Sequence, residues 1–230
     1  MSGYIITLST EQKNNATVLV QRMRVKTITN PFSIAAILAI VSKESNFIPH
    51  AEASYRNTPN DRIRLIFGRL HNFTDDQINK LKLSDLDFFN AAYGGMYGDA
   101  ANEGFKFRGA GYHQITFEGN FKKVGDEIGV DLVNHPELLD TDPKVAADEL
   151  IQFFEDKFVE GLHLGVVQQY HTTSINGFTN ATDAVNAVYH SNAGWGKTRE
   201  AIDADPTGGK AKATSRMSDL VVFVNVIPNA

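Results

Sequence analysis

"NPFSIAAILAIVSKES", residues 30–45, decides how the rest of the chain must be arranged. Asn30 is an N-cap residue type, and Pro31 takes the first helical position, where its missing N–H costs nothing. Apolar residues surround most of the helix that follows, so it should be buried centrally. Charge enters only at its end, in Lys43 and Glu44. Pro49 cannot continue the helix and disfavours helical geometry at Ile48. Beyond the break, "HAEASY" (residues 50–55) supplies a second carboxylate, Glu52.

In one unbroken helix, residues eight apart lie about 12 Å apart along the axis. A break lets the following segment fold back, so that Glu52 approaches Glu44 across an open space. Such a pair suits hydrolysis of a glycosidic bond, in which one carboxyl donates a proton to the leaving oxygen and the other activates water. Inverting enzymes hold the two roughly 6.5–9.5 Å apart and retaining ones about 5–5.5 Å apart. Apolar surroundings raise a carboxyl pKa, whereas a polar, hydrogen-bonded setting keeps its partner charged. Glu44, emerging from "AAILAIVSKES", is the candidate acid, and Glu52 the candidate base. Two solvated glutamates are the ordinary alternative, and spacing alone leaves both readings open.

The 230 residues are enough for one large domain or two intimate lobes. At 42% hydrophobic and 21% charged residues the composition is that of a globular protein. A net charge of -5 supplies no global field for nucleic acid or anionic wall polymers. Arg56, Arg62, Arg64 and Arg69 read as a solvated helix face, and a basic aromatic motif is lacking. The absence of cysteine excludes disulfides, a thiol nucleophile and thiolate metal sites. The seven histidines show no HExxH-like spacing. "SIAAILAIV" is far shorter than the roughly 20 residues of a membrane span. "MSGYIITLST" lacks the pattern of a secretory signal, so synthesis without a signal peptide is expected.

Further helix starts are legible. "STEQ" (9–12) and "TDDQ" (74–77) are capping boxes, and Asp142 with Pro143 opens "DPKVAADELIQFFEDKF". Between them, residues 91–120 carry seven of the eighteen glycines, which argues for turns and close backbone approach. "FKFRGAGYHQIT" (105–116) reads as a short strand, and "FEGNFKKVGDEIG" (117–129) as a helix closed by Gly129. "DLVVFVNVIP" (219–228) suits either a strand or a terminal helix. Trp195, in "NAGWGK", is either a sugar platform on an exposed turn or a cap on the core.

At residues 42–55 and again at "FRGAGYHQITFEGNFKKVGDEIGVDLVNHPELL" (107–139), the sequence resembles the family 19 glycoside hydrolases, which include chitinases and phage endolysins that cut peptidoglycan. The family pattern of an apolar helix ending in His-Glu-Ser, then a Glu shortly before a Tyr, is matched by Lys43-Glu44-Ser45 and Glu52-Ala53-Ser54-Tyr55. The family's YRGRGxIQLTGRxNY element is matched by Phe107 to Thr116 and Asn120-Phe121. "SINGF" (174–178) is similar to a family Ile-Asn-Gly-Gly segment. The resemblance covers roughly residues 31–185, and the endolysin branch fits better than the plant enzymes. Departures are Lys43 for histidine, Ala110 for arginine, Tyr112-His113 for an apolar pair, and Ala184 where arginine is frequent. They touch substrate contacts more than the carboxylates.

The resemblance implies a mainly α, α+β lysozyme-like fold: two helical lobes around a cleft, with a glycine-rich, short β segment. It places one catalytic domain over residues 1–230, with 186–230 as an extension packed on the family-like core. It implies Glu44 as general acid, Glu52 as general base, and Thr116 as a hydroxyl orienting the water. Gln114, Asn120 and Arg108 match substrate-contacting positions. Tyr55, Tyr93, Tyr97 and Tyr112 are candidates to stack on sugar rings, with core packing the ordinary alternative. The expected activity is inverting cleavage of β-1,4 bonds in peptidoglycan. A chitinase and a non-catalytic wall-binding or virion module are the alternatives. No cofactor or metal, no nucleic-acid partner and a monomer are expected. Action is expected at the bacterial cell wall, after delivery by a holin or a virion.

Overall fold

In the computed structural model, which describes residues 3–228, the helix starts read from the sequence are capped by the residues expected. Ser9 and Gln12 exchange side-chain and backbone bonds, as do Thr74 and Gln77. The Asn30 carboxamide oxygen accepts from the N–H groups of Phe32 and Ser33, and Asp142 accepts from those of Lys144 and Val145. Each cap satisfies donors that the first helical turn leaves unpaired.

The helices are, in chain order, α1 (Gly3–Thr7), α2 (Thr10–Val25), α3 (Pro31–Glu44), α4 (Asn60–Ile66), α5 (Asp75–Leu81) and α6 (Asp85–Tyr93). They continue as α7 (Glu118–Ile128), α8 (Leu138–Thr141), α9 (Pro143–His163), α10 (Ala181–Ala193), α11 (Arg199–Ala204) and α12 (Gly209–Val226). The protein is thus mainly helical, and no sheet forms among the described residues. The strand expected within residues 105–116 is reduced to one isolated antiparallel bridge, Ala110 to Ile115, with both N···O distances 3.0 Å. Its extension is prevented by a turn in which Gly111 and Gln114 both have positive φ, +80° and +63°. Among the described residues no helix is long and apolar enough to cross a membrane.

The chain divides into two compact units, residues 1–49 with 142–230, and residues 50–141. In the first, α3 is the central element: every residue from Ser33 to Ser42 is buried. α12 and α10 pack on it, and α2 packs on α9. Asn176, of the "SINGF" segment, locks the start of α3. Its side chain accepts from the N–H groups of Thr29 (2.9 Å) and Asn30 (3.2 Å) and donates to the Thr27 carbonyl (2.8 Å). Trp195 is buried, donates from Nε1 to the Lys157 carbonyl at 2.5 Å, and meets Phe158 edge-on. It caps the core of this unit and offers no sugar platform.

Residues 186–230 contribute α11 and α12 to the same unit, and α12 supplies much of the cover on α3. The β-branched end of the chain is therefore helical. Ala213, Met217, Leu220 and Val224 are buried at helical spacing, whereas Val222 is 47% exposed. β-Propensity yields here to the burial of one helical face.

The second unit is built around an aromatic core. Phe67, Phe88 and Phe89 are buried with Ile63, Leu70 and Ile78, and Tyr55, Phe73, Tyr93 and Phe105 pack against them. The arginines that looked like a solvated face in part tie this unit together: Arg64 bridges Asp61 and Asp75, and Arg56 donates to the carbonyls of Lys82 and Leu83.

A strand would place residues 220, 222 and 224 on one face, and α12 does not. Leu220→Ala is expected to cost about 2–5 kcal/mol of stability in urea denaturation. Val222→Ala should stay within about 0.5 kcal/mol.

Candidate active site

Glu52 lies in an extended segment held against the glycine-rich loop of the second unit. Its backbone N–H donates to the Gly109 carbonyl at 2.6 Å, and the N–H of His50 reaches the Gly111 carbonyl at 3.5 Å. The Gln114 amide donates to the His50 carbonyl at 2.7 Å, closing the arrangement from the other side.

The Glu52 carboxylate is gripped by three groups. Tyr55 donates its hydroxyl to Oε1 at 2.9 Å, Tyr93 donates at 3.1 Å to both oxygens, and the Gly109 N–H donates to Oε2 at 3.1 Å. A side chain at position 109 would press on Gln114 and Glu52. A Cβ there would lie 2.9 Å from Gln114 Oε1 and 3.2 Å from Glu52 Oε2. The aromatic core fixes the two phenols. Tyr55 stacks on Phe88 at 5.4 Å and meets Phe67 edge-on at 4.9 Å, while Tyr93 lies against Phe67, Phe89 and Phe117. Burial first, and the neighbouring Glu52 charge second, push both phenols well above the ordinary tyrosine value. They therefore remain hydroxyl donors to the Glu52 oxygens.

The residues around this carboxylate divide by role. Thr116 is half-buried, and its hydroxyl donates to the Gln114 carbonyl at 3.1 Å. Asn120 lies exposed on the first turn of α7, with its amide on the Thr116 carbonyl at 2.8 Å. Arg108 stacks its guanidinium 4.0 Å from the centre of the Phe105 ring and donates to the Phe105 carbonyl. Tyr112 corrects the expectation for it: the side chain is fully buried and its ring cannot reach a sugar. The short loop after Gly111 turns that residue inward, where burial raises its phenol pKa. Tyr55 is likewise occupied by the core and by Glu52, which leaves it a positioning role.

Sequence reasoning did not identify Tyr93 as a partner of Glu52, although the aromatic closes the α6 pattern "FFNAAY" directly before the glycine run. It also passed over Asp140. Its Oδ1 accepts from the Gly111 N–H at 3.2 Å, and burial raises this carboxyl against the opposing influence of Arg108 and His50.

Glu44 belongs to the first unit and ends α3. Its carboxylate pairs with Lys43 Nζ at 2.5 Å, and Asn192 of α10 donates to Oε1 at 3.2 Å. The apolar surroundings expected for it stop at Ser42, because α3 reaches the surface in its last two residues. Polar neighbours define its position instead. Lys43 is itself confined, its Nζ 5.8 Å from the centre of the Tyr189 ring.

Two predictions follow from the phenols. Tyr93→Phe keeps the ring packing and removes one of the three donors, and should destabilise by about 1–3 kcal/mol in chemical denaturation. Because the folded state holds the protons of Tyr55 and Tyr93 more tightly than the unfolded chain, their contribution is complete below the ordinary value of 10.0 and is lost as pH rises above it. Tyr170, pushed up to about 12 by burial, and Tyr112 add to the same trend. Unfolding free energy measured between pH 9 and 11.5 should therefore fall, and fall less steeply in the Tyr55→Phe/Tyr93→Phe double variant.

The family model of class I chitinases, glycoside hydrolase family 19, matches residues 92–202. The matched stretch includes Tyr93, Arg108, Gly109, Gln114, Thr116, Asn120 and Asn192, and begins after Glu44, Glu52 and Tyr55. Chitinase 11 of Oryza sativa subsp. japonica is 42% identical over 48 residues, which are 21% of this chain. Those residues span 19% of that chitinase, so the chain matches a small part of its length. Over residues 92–202 the sequence is thus similar to the class I chitinase family, glycoside hydrolase family 19.

Proposed function

We propose that the protein hydrolyses β-1,4 bonds between N-acetylated amino sugars with inversion, and that bacterial peptidoglycan is its substrate. The observation that carries this reading is the grip on Glu52. A carboxylate held by two phenols and the N–H of a glycine loop is oriented and kept as an acceptor, which is what a general base requires. Glu52 takes a proton from water as the water oxygen bonds to the anomeric carbon. The bond from that carbon to the bridging oxygen breaks as the departing oxygen takes a proton, the role that the motif resemblance assigns to Glu44. Thr116 orients the water through its hydroxyl oxygen, whose hydrogen is already given to the Gln114 carbonyl. Asn120 and Gln114 present carboxamide oxygens to the sugar, because their amide groups are engaged with backbone. Arg108 holds the loop through the Phe105 carbonyl and ring.

Peptidoglycan is favoured by the endolysin-like motif spacing and the absence of cysteine. Action at the bacterial wall belongs to this reading. The class I chitinase match favours chitin as the second reading.

Mass spectrometry of murein and of chitin after incubation with the protein decides between the two. New reducing ends in murein, with the sugar at each end identified, support the first reading. Ends in chitin alone support the second, and none in either would leave a binding module. Glu52→Gln and Glu44→Gln should each lower kcat by about 10²–10⁴-fold while folding normally. Near-wild-type clearing of purified walls by Glu44→Gln would remove it as the acid.

A further inference from the structure

We propose that Tyr97 is a stacking platform for a pyranose ring of the polysaccharide, a binding position additional to the residues around Glu52. The proposal rests on the glycoside hydrolase reading above and deepens it.

Tyr97 is 73% exposed, and among the described residues it is the aromatic member of an otherwise aliphatic set of exposed large apolar side chains. Its backbone φ is +46°, in the left-handed region that glycine and asparagine adopt readily and tyrosine does not. The backbone gains nothing from a tyrosine here, and most of the ring stays out of the core. A large ring held in water on a strained backbone points to a ligand.

The ring is rigidly based. The Gly119 N–H donates to the Tyr97 carbonyl at 3.2 Å, and the Glu118 N–H donates to buried Asp99 at 2.7 Å. These two bonds fasten the Tyr97 loop to the start of α7. A Cβ at Gly119 would lie 2.7 Å from the Tyr97 oxygen, so the clamp depends on that glycine. On one side the ring rests on Phe117, centroids 4.8 Å apart. Phe117 in turn meets Tyr93 edge-on at 5.5 Å, and the Tyr93 hydroxyl holds Glu52. An exposed aromatic face is thus fixed, through two further rings, to the proposed base. The apolar C–H face of a pyranose matches such a ring, and the phenol at its tip is available to sugar hydroxyls.

The test compares wild type, Tyr97→Ala and Tyr97→Phe on murein strands and on chitohexaose, with melting temperatures to establish folding. The expected result is a KM about 5- to 10-fold higher for Tyr97→Ala, with kcat changing less than KM, and a KM near wild type for Tyr97→Phe. An unchanged KM in Tyr97→Ala overturns the platform while the hydrolase reading stands. A Tyr97→Phe variant as impaired as Tyr97→Ala also overturns it, since the hydroxyl and not the ring would then bind. Absence of turnover by wild type on both substrates overturns the hydrolase reading and the platform with it.

Discussion

One carboxylate with three donors organises the second unit. Glu52 can keep Tyr55, Tyr93 and the Gly109 N–H only if two phenols are held in place to within a few tenths of an ångström. That requirement accounts for the aromatic core, in which Phe67, Phe88, Phe89 and Phe117 brace the two tyrosine rings. It also fits the glycine at position 109, where a Cβ would crowd Gln114 Oε1 and Glu52 Oε2. Packing in this unit therefore serves orientation as well as stability. The buried phenols stay protonated because the same burial that fixes them disfavours their charge.

The first unit solves a different problem. α3 is apolar on nearly all sides and must be covered by other helices, which α10 and α12 provide. Its two ends are then set by polar contacts. Asn176 and the Asn30 cap hold the start, and Lys43 with Asn192 surrounds the carboxylate at the finish. Glu44 thus lies at the end of a helix whose residues from Ser33 to Ser42 are all buried. Lys43 gives this carboxylate a basic neighbour at 2.5 Å.

The glycine-rich stretch between α6 and α7 is tied to Glu52 through the Gly109 N–H. Arg108 to Thr116 forms a turn whose N–H groups are distributed between carboxylates, with Gly109 on Glu52 and Gly111 on Asp140. Side chains that matched the family motif mostly hold this turn. Gln114 and Asn120 each spend their amide hydrogens on backbone carbonyls. The family match over residues 92–202 covers this turn and Tyr93, but not the two carboxylates.

Local sequence determined the helix starts, because a capping box or an Asn-Pro pair acts within one turn and needs no distant partner. It also determined that α3 is buried and that the chain breaks before Pro49. Motif order also singles out Glu52 as a candidate. Tertiary structure alone decided the rest. It turned Tyr112 inward, made Tyr55 and Tyr93 the holders of Glu52, and buried Trp195. It placed Lys43 and Asn192 around Glu44 where apolar residues were expected, and it made a helix of the β-branched tail because α3 had a face to cover. The physical reason is range. Caps and breaks are settled between residues three or four apart, whereas the position of a ring or a carboxylate depends on groups tens of residues away that only folding brings together.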